Sequence, residues 1–220
     1  MEKTKCPACR TICVKNGIQP NGKQRYFCKT CKKSFQIAYQ NKAYRHRTNK
    51  EIIVHLKEGV GIRGISRILE ISASTVLKRI KQISSQIEKP AIPLNKEYEM
   101  DELCTYIGNK SRRMWIAYAI RKDTRKVVDF KVGRRNNRTL GKVIDTLTLS
   151  SATKIYTDRL HIYKNLIDKA VHKVKNRGIN YIERKNLTLR THLKRLNRRT
   201  ICYSKSITML KACLKIYFWT

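Results

Sequence analysis

The chain has 220 residues, with 50 Lys or Arg against 15 Asp or Glu and a formal net charge of +35. Positive charge on this scale suits a polyanionic partner bound through its phosphates. A merely soluble or ribosomal-type basic protein is the alternative, while 41% apolar residues in periodic runs argue against a disordered basic chain.

The charge is spread over the chain and not confined to a tail: residues 1–48 carry twelve Lys/Arg and one acid, and residues 91–220 carry thirty and ten. No run approaches the roughly 20 apolar residues that span a bilayer, and residues 1–6 hold no apolar core of a secretory signal. A cytoplasmic protein is expected, with no membrane partner and with cysteines that bind metal in preference to forming disulfides.

Residues 1–40 are cysteine-rich. Cys6-Pro7-Ala8-Cys9 and Cys28-Lys29-Thr30-Cys31 are two C-x-x-C pairs. Two intervening residues turn both thiolates of a pair onto one ion, and two such knuckles complete a tetrahedral site for structural Zn2+. Cys13 reads as a spare. Gln24-Arg25-Tyr26-Phe27 reads as a hairpin arm, giving a small ribbon that contacts DNA or docks a protein, with the charge favouring DNA.

Residues 48–88 carry apolar positions at helical spacing. Thr48 and Glu51 stand at capping-box spacing before a helix with Ile52, Ile53 and Leu56. A second helix spans Gly61 to Glu70, and Ser74 or Thr75 is expected to cap a third in which Val76, Ile80, Ile83 and Ile87 form one stripe. This is a helix-turn-helix pattern in which Ser74, Thr75, Lys78 and Arg79 would face DNA; an ordinary three-helix bundle with a solvated basic face is the alternative. Residues 89–95, with Pro90 and Pro93, read as an extended linker.

Residues 96–220 alternate strands and helices. Strands are expected over 96–107, 113–121 and 125–132, a helix over 137–149, a short strand at 154–157, a helix over 159–171 and a long helix from Ile182 to Arg198. Three acids stand out: Asp101 on the first strand, Asp158 just after the fourth and Glu183 at the start of the last helix. On that helix Ile182, Leu189, Leu193 and Leu196 form the packing stripe, while Glu183, Leu187, Arg190 and Lys194 form a neighbouring line. That line sets a carboxylate for metal beside cations for phosphate. Taken singly, each acid is an ordinary turn former or helix cap. Glu102 should point to the opposite sheet face, and Asp123, Asp129, Asp145 and Asp168 read as turn or surface residues. The order of elements resembles a ribonuclease H-like α/β catalytic domain, so the fold class is multidomain α+β: zinc ribbon (1–40), helix-turn-helix (48–88), linker (89–95) and catalytic domain (96–220).

With these motifs the chain resembles the transposases of the bacterial insertion-sequence-one family. The resemblance rests on Cys6-Pro7-x-Cys9 with Cys28-x-x-Cys31, Gly64-Ile65-Ser66-Arg67 to Val76, Met100-Asp101-Glu102-Leu103, Thr157-Asp158, and Ile182-Glu183-Arg184-x-Asn186-Leu187-x-Leu189-Arg190. It implies an Asp101–Asp158–Glu183 triad holding two Mg2+ ions, Arg190 as the basic residue seven positions after the glutamate, and metal-dependent cleavage and strand transfer of double-stranded DNA. It also implies recognition of element ends and at least a homodimer to pair them. Arg159 stands where such enzymes often carry glycine, and Cys104 where an aromatic residue is expected. Two rivals are a non-enzymatic DNA-binding regulator and a nuclease of the same fold that cleaves without joining.

Overall fold

The computed structural model describes all residues except 1–3, 38–42, 44, 46 and 175–179. It divides into two compact units, Met1–Tyr44 and Arg45–Thr220.

The first unit is a three-stranded antiparallel sheet in the order β1 (Val14–Ile18), β2 (Gln24–Cys28), β3 (Lys33–Phe35). The β1–β2 hairpin closes through Gln19 and Lys23, with Gly22 at φ +73°. Its buried interior is small: Cys6, Cys13 and Cys28, with Tyr26, Cys31 and Phe35 packed against them. So short a chain buries too little apolar surface to hold itself together, and a metal commonly supplies the difference.

The second unit begins with α1 (Thr48–Lys57), α2 (Ile62–Leu69) and α3 (Ala73–Gln86). They pack through Ile52, Leu56, Ile65, Val76, Ile80 and Ile83, all buried. Two expected caps are corrected. Helix α1 begins at Thr48 itself, which is buried, with Arg47 in the cap position and making no side-chain cap bond. Helix α3 is capped by Ser72, whose hydroxyl accepts from the Thr75 amide at 3.1 Å. The turn before it is completed early, by Glu70 at φ +51°, so neither Ser74 nor Thr75 is needed as the cap.

A five-stranded sheet follows, built from β4 (Glu97–Ile107), β5 (Asn109–Arg121), β6 (Val127–Gly133), β7 (Lys154–Thr157) and β8 (His172–Val174) in the order β6-β5-β4-β7-β8. The first three strands are antiparallel; β7 runs parallel to β4 and β8 parallel to β7. One face packs Leu103, Ile107, Ile116, Tyr118, Ile120 and Phe130 against Ile182 and Leu189 of α6 (Asn180–His192) and Leu210 and Leu214 of α7 (Ile207–Trp219). The other packs Tyr98, Met100, Ala117 and Ala119 against α4 (Asn137–Leu149) and Tyr163 of α5 (His161–Leu166). The proline-bearing segment before β4 lies on this framework: Lys89 pairs with Asp129 at 2.9 Å, and the Tyr98 hydroxyl donates to the Pro93 carbonyl at 2.8 Å.

Several expectations shift. Helix α5 ends at Leu166 because Ile167 turns into the core with extended dihedrals and Asp168 accepts the amides of Val171 and His172 in a turn. Helix α6 stops at His192. Leu193 takes extended dihedrals, and a 3-10 turn at Lys194–Leu196 lets Leu196 bury and the Arg195 carbonyl approach the Thr105 hydroxyl. Lys194 therefore lies beyond the helix, not on the line of Glu183. Asp129 is buried, not superficial, and is paired with Lys89 and Lys131. Helix α7, almost continuously apolar and packed against both α1 and α3, carries no motif that the sequence reading used.

Candidate active site

In the first unit the sulfurs of Cys6, Cys9, Cys28 and Cys31 lie within 4.8 Å of one another and can hold a metal ion. The knuckle geometry is visible in the Cys31 amide, which donates to the Cys28 sulfur at 3.3 Å. That bond is the main reason the Cys28 thiol is drawn down to about 6. The Thr11 hydroxyl, 2.6 Å from the Cys9 sulfur, is the first cause of a lowered Cys9 value. Cys31 is pushed up to about 12, first through its hydrogen bond with Cys9. A cluster of thiols cannot ionise together without a cation, and a thiolate-binding metal supplies one. Cys13 lies outside the four; burial raises it to about 11, and its thiol donates to the Thr11 carbonyl at 3.5 Å.

The acidic site is built at one end of the large sheet. Strands β4 and β7 run parallel, with Glu99 opposite Tyr156. Asp101 and Asp158 each follow two residues beyond this pair, and their side chains repel one another enough to perturb Asp101. Burial is the largest cause, and with Glu102 and Asp158 adding repulsion the Asp101 carboxyl is raised to about 7; the Glu102 amide and the Asn186 side chain oppose the rise. The Glu102 amide donates to Asp101 Oδ1 at 2.7 Å, and Asn186 Nδ2 donates to Oδ2 at 2.7 Å. Asp158 Oδ1 accepts the Leu160 amide at 2.9 Å, which orders the chain leading into α5.

Glu183 lies in the first turn of α6 and is exposed. It stands three residues before Asn186 and so shares that side of the helix. Among the described residues the four cysteines are the one set of three or more such ligands with donor atoms within 4.8 Å. The carboxylates thus share a region without being drawn into contact. Their donors are hard carboxylate oxygens, a donor chemistry that fits a divalent ion such as Mg2+. Arg190 lies near enough to feel Asp101; its guanidinium donates to the Leu196 carbonyl at 2.9 Å.

Glu102 faces the opposite side of the sheet, as its parity requires. It is wholly buried, with Arg135 Nη2 at 2.9 Å and Nε at 3.1 Å on one oxygen and the Tyr163 hydroxyl on the other. Arg135 also covers the Trp115 ring, 4.5 Å from its centroid. On α3, Ser74 and Lys78 are exposed and Thr75 and Arg79 half-buried, away from the Val76–Ile80–Ile83 stripe. Sequence reasoning assigned no role to Asn186, Tyr118, Glu99 or Arg135. The alternation of β4 could have flagged Glu99, which falls on the same face as Asp101 and Leu103.

The fold and site define a mixed α/β protein with Asp101 on β4 and Asp158 just after the parallel strand β7. Residues 97–218 match the family model described as IS1 transposase. The chain is 34% identical over 137 residues to the insertion element IS1 9 protein InsB of Escherichia coli, covering 61% of this chain and 81% of that protein. A Haemophilus ducreyi InsB protein matches to the same extent, and the IS1 2 InsB of Escherichia coli is 37% identical over 109 residues, half of this chain and 65% of that one. The chain belongs to the IS1 transposase family. Among solved structures, a simian T-cell lymphotropic virus intasome in complex with a PP2A regulatory subunit aligns with TM-score 0.39 and 13% identity, over 80% of this chain and 65% of that one. No described helix is long and apolar enough to cross a membrane.

Proposed function

We propose that this transposase binds the ends of an insertion sequence in double-stranded DNA and catalyses their cleavage and strand transfer at Asp101, Asp158 and Glu183. The observation that carries this reading is the placing of Asp101. It is crowded by Asp158 and tied by Asn186 to the helix that bears Glu183. The strand order, with three antiparallel strands followed by two parallel ones, supports a ribonuclease H-like catalytic domain.

In this reading Asp101, Asp158 and Glu183 hold two Mg2+ ions, whose chemistry is to stabilise the attacking and leaving oxygens of an in-line phosphodiester displacement. The residues themselves place the metal-binding oxygens, and Arg190 offers positive charge beside them for a phosphate. Cys6, Cys9, Cys28 and Cys31 hold a structural Zn2+ that folds the first unit. Ser74, Thr75, Lys78 and Arg79 contact the element end from the start of α3, and Lys194 adds a phosphate contact from its 3-10 turn. Pairing two ends requires a homodimer or a larger assembly. The segment divisions 1–40, 48–88, 89–95 and 96–220 serve as the working domain boundaries of this reading.

The test incubates the purified full chain with Mg2+ and a labelled DNA fragment bearing the element end. Nicked and joined products are expected, and Asp158→Ala should retain binding but form neither. Binding with no nicked or joined product from the unsubstituted chain would favour a DNA-binding regulator, and nicking without joining a simple nuclease.

A further inference from the structure

Three polar side chains behind the carboxylates take part in no step of the reading above, yet all converge on α6. Glu99 is fully buried on β4, and its Oε2 accepts the backbone amide of Ile182 at 2.9 Å. A buried carboxylate is costly unless its oxygens are satisfied. This one is met by an amide from the first turn of a helix, which has no intrahelical partner, at the positive end of the helix dipole. Tyr118 is fully buried on β5, directly opposite Asp101 in the strand pairing. Its hydroxyl donates to Asn186 Oδ1 at 2.8 Å and lies 3.3 Å from the Ile182 carbonyl. Asn186 in turn donates to Asp101 Oδ2.

Helix α6 is thus pinned at residues 182 and 186, on either side of Glu183. Around Glu183 the helix is otherwise held by the apolar side chains Ile182 and Leu189, with Arg125 over the Tyr181 ring and, at the far end, His192 Nδ1 2.7 Å from the Tyr217 hydroxyl. Apolar contacts are non-directional and tolerate sliding, whereas one residue of slip turns a helix by about 100°. Such a slip would carry Glu183 away from the aspartates. The hydrogen bonds are directional and admit one register.

We propose that Glu99, Tyr118 and Asn186 are positioning residues for the divalent-metal site, fixing the rotation and register of α6 so that Glu183 faces Asp101 and Asp158, and orienting the Asp101 carboxylate. The proposal rests on the reading that these three acids hold the ion. Residues that orient metal ligands typically alter metal affinity by about 10–100-fold when replaced.

The test titrates Mn2+ into zinc-loaded full-length protein without DNA, reading free Mn2+ by electron paramagnetic resonance, with thermal unfolding of every variant alongside. Tyr118→Phe keeps the ring and its packing and removes only the hydroxyl. It and Asn186→Ala should each weaken Mn2+ binding about tenfold or more in protein that is still folded. Glu99→Gln, which keeps an acceptor oxygen for Ile182, should stay within a few-fold of the unsubstituted chain, and Glu99→Met should not. Folded Tyr118→Phe and Asn186→Ala proteins that bind Mn2+ normally, while Asp158→Ala does not, would overturn the positioning role and leave the metal site standing. Mn2+ binding that is absent from the unsubstituted chain, or untouched by Asp158→Ala, would overturn both.

Discussion

Gly59 lies against the end of α6: a Cβ built on it would come within 2.3 Å of the His192 carbonyl oxygen. Gly59 also sits at φ +77°, terminating α1. The helical segment that carries α3 and the helix that carries Glu183 therefore meet through a backbone contact that no other residue can make. Helix α7 extends the same contact, packing on α1, on α3 and on the sheet core. A side chain at position 59 must distort the contact as well as adopt a left-handed conformation that itself costs about 1–2 kcal/mol.

Gly59→Ala is accordingly expected to destabilise the second unit by roughly 3 kcal/mol, combining the conformational strain with displacement of the His192 backbone. Urea unfolding followed by far-UV circular dichroism measures it. A loss under about 1 kcal/mol would show that the contact relaxes freely.

Asp101 predicts a pH dependence whose sign is unusual for a carboxylate. Its folded value of about 7 lies above its ordinary 3.8. Between those values the folded chain keeps a proton that the unfolded chain releases, so stability is greatest below the lower value and is lost as pH rises through the higher one. Metal-free protein should weaken between pH 5 and 8, and Asp101→Asn should flatten that decline and exceed the original at pH 8 by on the order of 2 kcal/mol after allowance for screening. Denaturation series at the two pH values decide it; an Asn variant with unchanged pH dependence refutes it. Saturating Mg2+ should restore stability at pH 8 to the original chain and leave Asp101→Asn unaffected.

The four-cysteine cluster gives an expectation for metal content. Cys28→Ser removes a thiol already drawn down to about 6 and should abolish zinc binding, unfolding a unit with few other buried residues. Cys13→Ala should retain one zinc per chain, because that thiol is raised to about 11 and lies outside the cluster. Elemental analysis after dialysis against a weak chelator separates the two. Equal zinc loss in both would move Cys13 into the ligand set.

How much of this was legible in the sequence depended on whether a feature is local. C-x-x-C spacing and the apolar stripe of α3 are set by residues a few positions apart. The cysteines cluster as expected and Val76, Ile80 and Ile83 form the buried stripe, while Ile87, expected as its fourth member, lies beyond the helix in extended backbone and is half-buried. Alternation along β4 placed Glu102 and Asp101 on opposite faces, and the structure has them so. The end of α6 was not legible, because no glycine or proline marks it. Leu196 turns inward there, and the interruption depends on tertiary contacts with β4. Strand β8 was missed because three residues, His172-Lys173-Val174, are strand-like only through pairing with β7. The network around Asn186 joins residues 68 and 85 positions apart, beyond any periodicity.

Glu102, Arg135 and Tyr163 offer the last prediction. Glu102 is wholly buried, whereas the Arg135 side chain is about a third exposed at 34%. Removing one partner of a buried ion pair leaves the other charged and desolvated, at a cost of about 3–5 kcal/mol; the partial exposure of Arg135 puts the expectation for Arg135→Ala nearer 2–3 kcal/mol. Burial already raises the Glu102 carboxyl, and Arg135 is among the groups that hold it down. Without the guanidinium Glu102 takes up a proton more readily, so the folded variant is rescued at low pH and penalised at high pH. The destabilisation of Arg135→Ala should therefore be larger at pH 8 than at pH 5, and Glu102→Gln placed on the Arg135→Ala background should remove most of the difference. A penalty equal at both pH values would assign the effect to lost packing of Arg135 on Trp115 and not to the stranded carboxylate.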